Sequence, residues 1–317
     1  MTNQDKHFTS GFASILGRPN VGKSTLLNAL AGSKIAIVTD KPQTTRNRIQ
    51  GVVNRPNAQI IFMDTPGIHK ADTRLNQKMM AEVRETLKGS DLLLMMVDAS
   101  RPSGSGDDYT LALVKKVSYP TFLLLNKIDL LPNKRALLPL IDRYRVQHNF
   151  AEIIPVSAMT GDGLQELVER IIAALPEGPQ YFPPDYVTDQ PARFLAGEMI
   201  REKIITLTRQ EVPYATMVLV DSFEEKPNLL RIYATVFVER PGQKAILIGT
   251  RGEMMKKIGT QAREEIEKRF GQKVYLELFV KVRPGWRESA QFLQAIDWRS
   301  MVGEQEPEAE EGPASTE

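Results

Sequence analysis

At 317 residues the chain is long enough for two compact units, and with 42% apolar and 25% charged residues it has the usage of an ordinary globular protein. It holds no cysteine and only three scattered histidines (His7, His69, His148), which excludes a disulfide scaffold and Cys-ligated zinc, haem or iron–sulfur sites, and argues against a His-built metal cage. The formal net charge of +2 divides unevenly: +3 over residues 1–190, +5 over 191–302, and −6 over the last fifteen, where six glutamates stand without a base.

Residues Met1–Lys6 carry no apolar stretch, so no secretory signal is expected. Apolar runs that read as strands then alternate with amphipathic stretches that read as helices. The first strand, Phe12–Leu16, runs into Gly17-Arg-Pro-Asn-Val-Gly22-Lys23-Ser24, followed by a helix over Thr25–Ala31. Arg48–Asn54 and Gln59–Asp64 flank the turn Arg55-Pro56-Asn57-Ala58 and predict an antiparallel hairpin. Apolar residues three and four apart predict helices over Leu75–Leu87 and Leu164–Leu175, with strands at Leu92–Asp98, Thr121–Asn126 and Ile153–Val156 between them. Met79, Met80, Met95 and Met96 read as core filler. The longest apolar run, Leu92–Val97, is far short of the roughly 20 residues of a membrane span, so a soluble intracellular chain is expected. This βαβα order predicts an α/β domain with a mostly parallel six-stranded sheet and helices on both faces.

Four prolines within Pro176–Asp185 predict a stiff linker. Beyond it lie a helix over Arg193–Leu207, strands at Thr216–Phe223 and Leu230–Glu239, and helix, glycine turn and helix within Ala245–Phe270. A strand at Lys273–Val282 and a last helix from Trp286 complete the order. The expected division is residues 1–176, a linker over 177–190, a second domain over 191–302 and an acidic tail over 303–317 that composition reads as disordered and solvated.

Chemistry concentrates at strand ends. The first segment matches G-x-x-x-x-G-K-[ST], in which a tight loop turns backbone N–H groups onto phosphates. Lys23 is expected to reach the β- and γ-phosphates and the Ser24 hydroxyl to ligate Mg²⁺, with the following helix directing its positive end at the same anion. Asp64-Thr65-Pro66-Gly67 places a carboxylate where it reaches Mg²⁺ through water and a glycine N–H where it meets the γ-phosphate. By itself that tetrapeptide arises by chance about once per chain of this usage. Asn126-Lys127-Ile128-Asp129 is far rarer: an aspartate there accepts both N1–H and N2–H₂ of guanine, a pair adenine lacks. Val156-Ser157-Ala158 supplies a backbone N–H for guanine O6.

In this order and at these strand ends, the four segments resemble the guanine-nucleotide motifs of the Ras-like GTPases. Gln43-Thr44-Thr45-Arg46 resembles the switch segment of the TrmE-Era-EngA-Septin-like branch. That match implies that Thr45, with Thr44 the second candidate, joins Ser24 and Asp64 around Mg²⁺. The resemblance implies nucleotide contacts from Gly17, Asn20, Val21, Gly22, Lys23, Ser24, Thr25, Asp64, Gly67, Asn126, Lys127, Asp129, Ser157 and Ala158, with Lys23, Thr45 and Gly67 acting in catalysis. One position departs from Ras-like chemistry. Ile68 stands where a water-orienting glutamine is expected, and it has no hydrogen-bonding group. His69 is a neighbouring candidate. Slow hydrolysis is the expectation, with an RNA-binding scaffold holding an idle nucleotide as the alternative.

In the second domain Gly249-Thr250-Arg251-Gly252 fits the G-x-x-G loop of KH domains, where glycines let backbone approach a sugar–phosphate run. Arg251, Lys256 and Lys257 are the expected countercharges. With Pro184-Asp185, Thr188-Asp189-Gln190-Pro191, Arg201-Glu202-Lys203-Ile204 and Glu211-Val212-Pro213-Tyr214, the chain from Phe12 to Trp286 resembles the Era family of bacterial GTPases. That resemblance implies a P-loop GTPase domain followed by an α+β type II KH domain, with GTP, GDP and Mg²⁺ as ligands. It also implies binding near the 3′ end of 16S rRNA and a role in maturation of the 30S subunit. The expected setting is a cytoplasmic monomer, with weak peripheral association at the inner face of the cell membrane as a secondary contact. Asp297-Trp298-Arg299 and the glutamate tail depart from the family pattern.

Overall fold

The longest apolar runs of the chain are buried on both sides. The computed structural model describes residues 8–68, 72–295 and 297–299. In strand β1 (Thr9–Leu16) the Phe12–Leu16 run leads into helix α1 (Lys23–Ala31). The hairpin β2 (Ile49–Arg55) and β3 (Ala58–Asp64) is antiparallel, as the Pro-Asn turn predicts. After α2 (Arg74–Lys88), β4 (Leu92–Asp98), α3 (Ser105–Val114), β5 (Thr121–Asn126), α4 (Leu138–Arg145), β6 (Glu152–Pro155) and α5 (Leu164–Ala174) complete the first unit. Strand order is β2-β3-β1-β4-β5-β6, with every pair but β2–β3 parallel. Every residue of β4 and β5 is buried, which is why they read as unbroken apolar runs rather than alternating ones. Leu92, Leu94 and Met96 join Leu26 and Ile171 in the core under α1 and α5. Leu93, Met95 and Val97 join Val83, Leu111 and Tyr144 under α2, α3 and α4.

The second unit runs α6 (Ala192–Leu207), β7 (Met217–Lys226), β8 (Leu229–Val238), α7 (Pro241–Ile248), α8 (Glu253–Phe270) and β9 (Lys273–Val282). Its sheet, ordered β7-β8-β9, pairs β7 and β8 antiparallel and β8 and β9 parallel, the type II KH arrangement. The helices cover one face, over Ile200, Ile232, Ala234, Leu247, Ile258 and Val274.

Residues 177–190 lie along the first unit instead of spanning free space. Val52 donates its N–H to Val187 O at 2.8 Å, the Thr188 hydroxyl reaches Gln50 O at 2.7 Å, and Gln59 receives the N–H groups of Tyr181 and Phe182. The chain also returns after the KH unit. Trp286 and a short helix α9 (Ala290–Ala295) pack Phe292 and Leu293 against Leu75 and Met79 of α2. Asp297 meets Lys78 at 2.6 Å and Arg299 meets Glu82 at 2.8 Å. Among the described residues no helix is long and apolar enough to cross a membrane.

Candidate functional site

At the carboxyl ends of β1, β3, β4, β5 and β6, where ligands bind in open α/β sheets, a cleft of about 360 Å³ opens. Its floor is the loop between β1 and α1. Gly17 cannot carry a side chain, because a Cβ would sit 2.6 Å from Met96 O. Gly22 has φ 104° and its missing Cβ would strike the Asn126 amide, so glycine is required on both counts. Gly67 approaches the same loop so closely that a Cβ would lie 2.8 Å from Pro19.

Lys23 is buried and donates to Gly17 O at 3.1 Å and Arg18 O at 3.2 Å. Burial pulls its ammonium down to about 8, against the attraction of Asp64. Burial likewise pushes Asp64 up to about 6, opposed by Lys23 and by hydrogen bonds from Ser24 and the Thr65 N–H. The Ser24 hydroxyl donates to Asp64 Oδ2 at 2.7 Å and lies 2.8 Å from the Thr45 hydroxyl. Asp64 Oδ1 is buried without a partner. Two hydroxyls and an under-satisfied carboxylate form a hard, all-oxygen donor set, which suits Mg²⁺. Thr44 is turned elsewhere, its hydroxyl 2.6 Å from that of Thr39 and 2.7 Å from Lys41 O.

The other end of the cleft is a linked set of loops. Asn126 Nδ2 donates to Val21 O at 2.7 Å and Asn126 Oδ1 receives the Ala158 N–H at 2.9 Å, so one side chain ties the phosphate loop to the Ser157-Ala158 loop. Lys127 spans Asn20 O at 2.8 Å and Asp98 Oδ2 at 2.7 Å. Burial alone would raise the Asp98 carboxyl, but hydrogen bonds from Lys127 and Ser100 hold it below the usual range. The Ser157 hydroxyl donates to Asp129 Oδ1 at 2.6 Å, fixing that carboxylate while leaving its second oxygen for a ligand. Thr25 lines the cleft.

Ile68 lies 2% exposed in the core beside Leu16, Met80 and Val83, its N–H on Gly17 O at 3.2 Å. The position is therefore unfit to orient water by burial as well as by chemistry. His69 lies outside the described residues. Sequence reasoning misses several cleft-lining residues: Ile37, Val38, Thr39, Asp40, Arg101 and Met159. Arg101 and Met159 follow strands β4 and β6 within a few residues, so the strand-end rule is a usable signal for them. The 37–40 segment carries no comparable signal.

The segment holding Thr45 also touches the KH unit. Arg46 is buried and donates to Thr216 O at 2.8 Å and Tyr214 O at 3.1 Å. From the other side, buried Arg201 of α6 donates to Thr44 O and to Glu198.

On the KH unit a second cleft, about 700 Å³, runs between α7, α8 and the edge of β9, with Lys244, Ile248, Gly252, Lys256 and Arg263 in its lining. Gly249 is sterically required, since a Cβ would meet Met254 at 2.7 Å. Gly252 (φ 81°) faces open space, and Arg251 also has positive φ (52°). Thr250 and Arg251 form the turn, Lys256 lines the groove, and exposed Lys257 stands outside its lining. Lys244 and Arg263 are not among the residues expected from sequence, although Arg263 lies two helical turns beyond Lys256 on one face.

A family model described as a 50S ribosome-binding GTPase matches residues 12–127, and a KH domain model matches residues 211–287. The chain is similar to GTPase Era of Syntrophus aciditrophicus, 53% identical over 293 residues, covering 92% of this chain and 95% of that one. GTPase Era of Geobacter metallireducens is 52% identical, with coverage of 93% and 99%. A crystal structure of Era with MgGDPNP and nucleotides 1506–1542 of 16S ribosomal RNA superposes with a TM-score of 0.89 at 41% identity, covering 92% of this chain and 99% of that one. An Aquifex aeolicus Era variant bound to GDP·AlF₄⁻ superposes equally, with a TM-score of 0.89.

Proposed function

This chain belongs to the Era family of GTPases, and from that membership we propose that it binds 16S rRNA near the 3′ end through the KH groove, under control of its nucleotide, during small-subunit assembly. Its reaction is hydrolysis of GTP to GDP and phosphate, with Mg²⁺ as the metal. The observation that carries the reading is the continuity of Thr44, Thr45 and Arg46, which joins the Ser24–Asp64 corner of the nucleotide cleft to the KH unit.

In this reading Lys23 cradles the β- and γ-phosphates, the Gly67 N–H meets the γ-phosphate, and Ser24, Thr45 and Asp64 hold the magnesium. The metal neutralises charge on the phosphate oxygens when bound. Asn126 braces both loops around the nucleotide, and Asp129, steadied by Ser157, accepts the two donor groups of guanine. With Ile68 in the core, the chain carries no side chain at that position to align water, which makes unstimulated hydrolysis slow. Gly249–Gly252 brings backbone against RNA phosphates, with Arg251 and Lys256 as countercharge. The working division is residues 1–176, 177–190, 191–302 and 303–317. The active species is a cytoplasmic monomer, and contact with the inner face of the membrane is a secondary property that liposome flotation measures.

Phosphate release over many turnovers, with and without 16S 3′-end RNA, tests the proposal together with RNA binding by the GTP- and GDP-loaded forms. Equal RNA affinity in both nucleotide states would overturn the nucleotide control.

A further inference from the structure

The helices of the KH unit cover only one face of its sheet. Along β9, Val274, Leu276, Leu278, Val280 and Val282 belong to the core beneath them. The intervening Tyr275, Glu277, Phe279 and Lys281 point the other way by the two-residue period of a strand. Tyr275 and Phe279 are each 46% exposed, among the most exposed large apolar side chains of the unit. On the neighbouring strand Tyr233 stands beside Tyr275, ring centroids 5.9 Å apart and tilted by 56°. At its far end the same face is closed, where Phe237 packs edge-on against Phe292 at 5.1 Å. Within one sheet face, therefore, one aromatic end is capped by the returning chain and the other is left open.

Charge on the open end is graded. Arg231 lies opposite Tyr275 in register, and exposed Lys273 and Lys281 flank it on β9. Glu277 is engaged by the Tyr275 hydroxyl at 2.9 Å. The remaining acids are on β7, where Asp221 accepts the Thr235 hydroxyl at 2.7 Å and Glu224 stands opposite Arg231, and on α8, where Glu267 lies 3.8 Å from the largely exposed Lys273. Positive charge thus gathers toward β9, the edge strand. The edge of that strand, Leu276–Val280, is also a wall of the groove beside Gly252. Groove and aromatic face are two sides of one strand.

A G-x-x-G loop clamps about four nucleotides, so a longer single strand leaving the groove must cross the β9 edge. Every base offers a π-face, and flat aromatic side chains on a sheet, bordered by cations, are the surface on which unpaired bases stack. We propose that Tyr275, Phe279 and Tyr233 form a second platform for single-stranded RNA, on which bases beyond the groove-bound stretch stack while Lys273 and Lys281 meet their phosphates. The proposal rests on the KH groove reading above and extends its footprint around the sheet edge.

The test uses the full chain and 16S 3′-end RNA cut to about five nucleotides, near the groove's capacity, or extended to about twelve. Replacing Tyr275→Ala, which lies outside the groove lining, should leave affinity for the short RNA unchanged and weaken the long one by about tenfold or more. Tyr275→Trp should restore it. The Tyr275 ring is exposed, so unchanged melting and GTP affinity are expected and exclude misfolding as the cause. If Tyr275→Ala binds the long RNA as tightly as the parent, the platform is absent, while the groove reading stands. Gly252→Asp separates the two ideas. Loss of both RNAs in that variant supports the groove, and unchanged binding of both would remove the groove reading and the platform with it.

Discussion

The Arg46 guanidinium donates to the carbonyl of Thr216 at 2.8 Å, across the boundary between the two units. One residue earlier, Thr45 stands 2.8 Å from the Ser24 hydroxyl. Burial, followed by the nearby Arg201 charge, pulls Arg46 down to about 9, so it remains a cation at neutral pH and is held by backbone carbonyls. The residue next to Thr45 is therefore tied directly to Thr216 across the boundary.

Removing that link should uncouple the two sites. Arg46→Ala is expected to leave GTP affinity near that of the parent while erasing the difference in RNA affinity between GTP- and GDP-loaded protein. It also strands carbonyls without a donor, at about 1–3 kcal/mol of interface stability. Arg46→Lys keeps the charge but not the planar fork, so recovery should be partial. RNA titrations in the two nucleotide states check this, and a preserved GTP/GDP difference in Arg46→Ala would place the coupling elsewhere.

Guanine selectivity should follow Asp129. Loss of a charge-assisted pair to the base costs about 1.5–3 kcal/mol or more, because the donor groups of guanine are left unpaired. Asp129→Asn should weaken GTP by that amount and favour xanthosine triphosphate, whose C2 carbonyl accepts from an amide. Competition binding of GTP, ATP and XTP measures both effects. Equal ATP and GTP affinity in the parent would contradict the role.

In magnesium-free, nucleotide-free protein the Asp64 carboxyl is pushed up to about 6 from the 3.8 of a free aspartate, chiefly by burial. The folded chain binds that proton more tightly than the unfolded one. Its contribution to stability is complete below about pH 4 and is lost as pH rises through about 6. Against Asp64→Asn, which does not titrate, the parent should lose up to about 3 kcal/mol over that interval. Urea unfolding of both proteins from about pH 4 to pH 7 is the measurement, and parallel curves would be the contrary result.

Gly252→Asp should abolish RNA binding with GTP affinity unchanged. Aspartate tolerates the left-handed backbone better than most residues, and the open space at Gly252 accepts its side chain, so the fold survives. The carboxylate then occupies the place of a phosphate. Gly252→Asn separates bulk from charge and should bind with intermediate strength. Lys256→Ala should be milder, weakening different single strands alike and flattening the salt slope by roughly 0.7. Filter binding at several salt concentrations reads all three.

Much of this molecule is legible in its residues alone, because the signals are local. Strand runs, the glycine loops and the N-K-x-D segment are each set by a few neighbouring residues. The α-β-β-α-α-β order follows from periodicity alone. What the sequence hides depends on distant parts meeting. Arg46 looks like one more surface cation until Thr216 closes over it. Ile68 reads as a missing glutamine, yet its burial beside Met80 and Val83 says that the backbone there runs inward. Asp297 and Arg299 bridge back to α2 through Lys78 and Glu82. The proline-rich stretch reads as a spacer because proline stiffness says nothing about which surface the chain lies against.

That last stretch has a consequence for solubility. β2 is a border strand, and its outward N–H and C=O groups are a template for pairing with another chain. Residues 177–190 occupy that border: Val52 is paired with Val187, Gln50 with Thr188, and Asn54 with Pro184. The segment works as a built-in guard rail against self-association. A fragment ended at residue 176 keeps every nucleotide motif but bares the β2 border, and should form concentration-dependent aggregates where one ended at residue 190 stays dispersed.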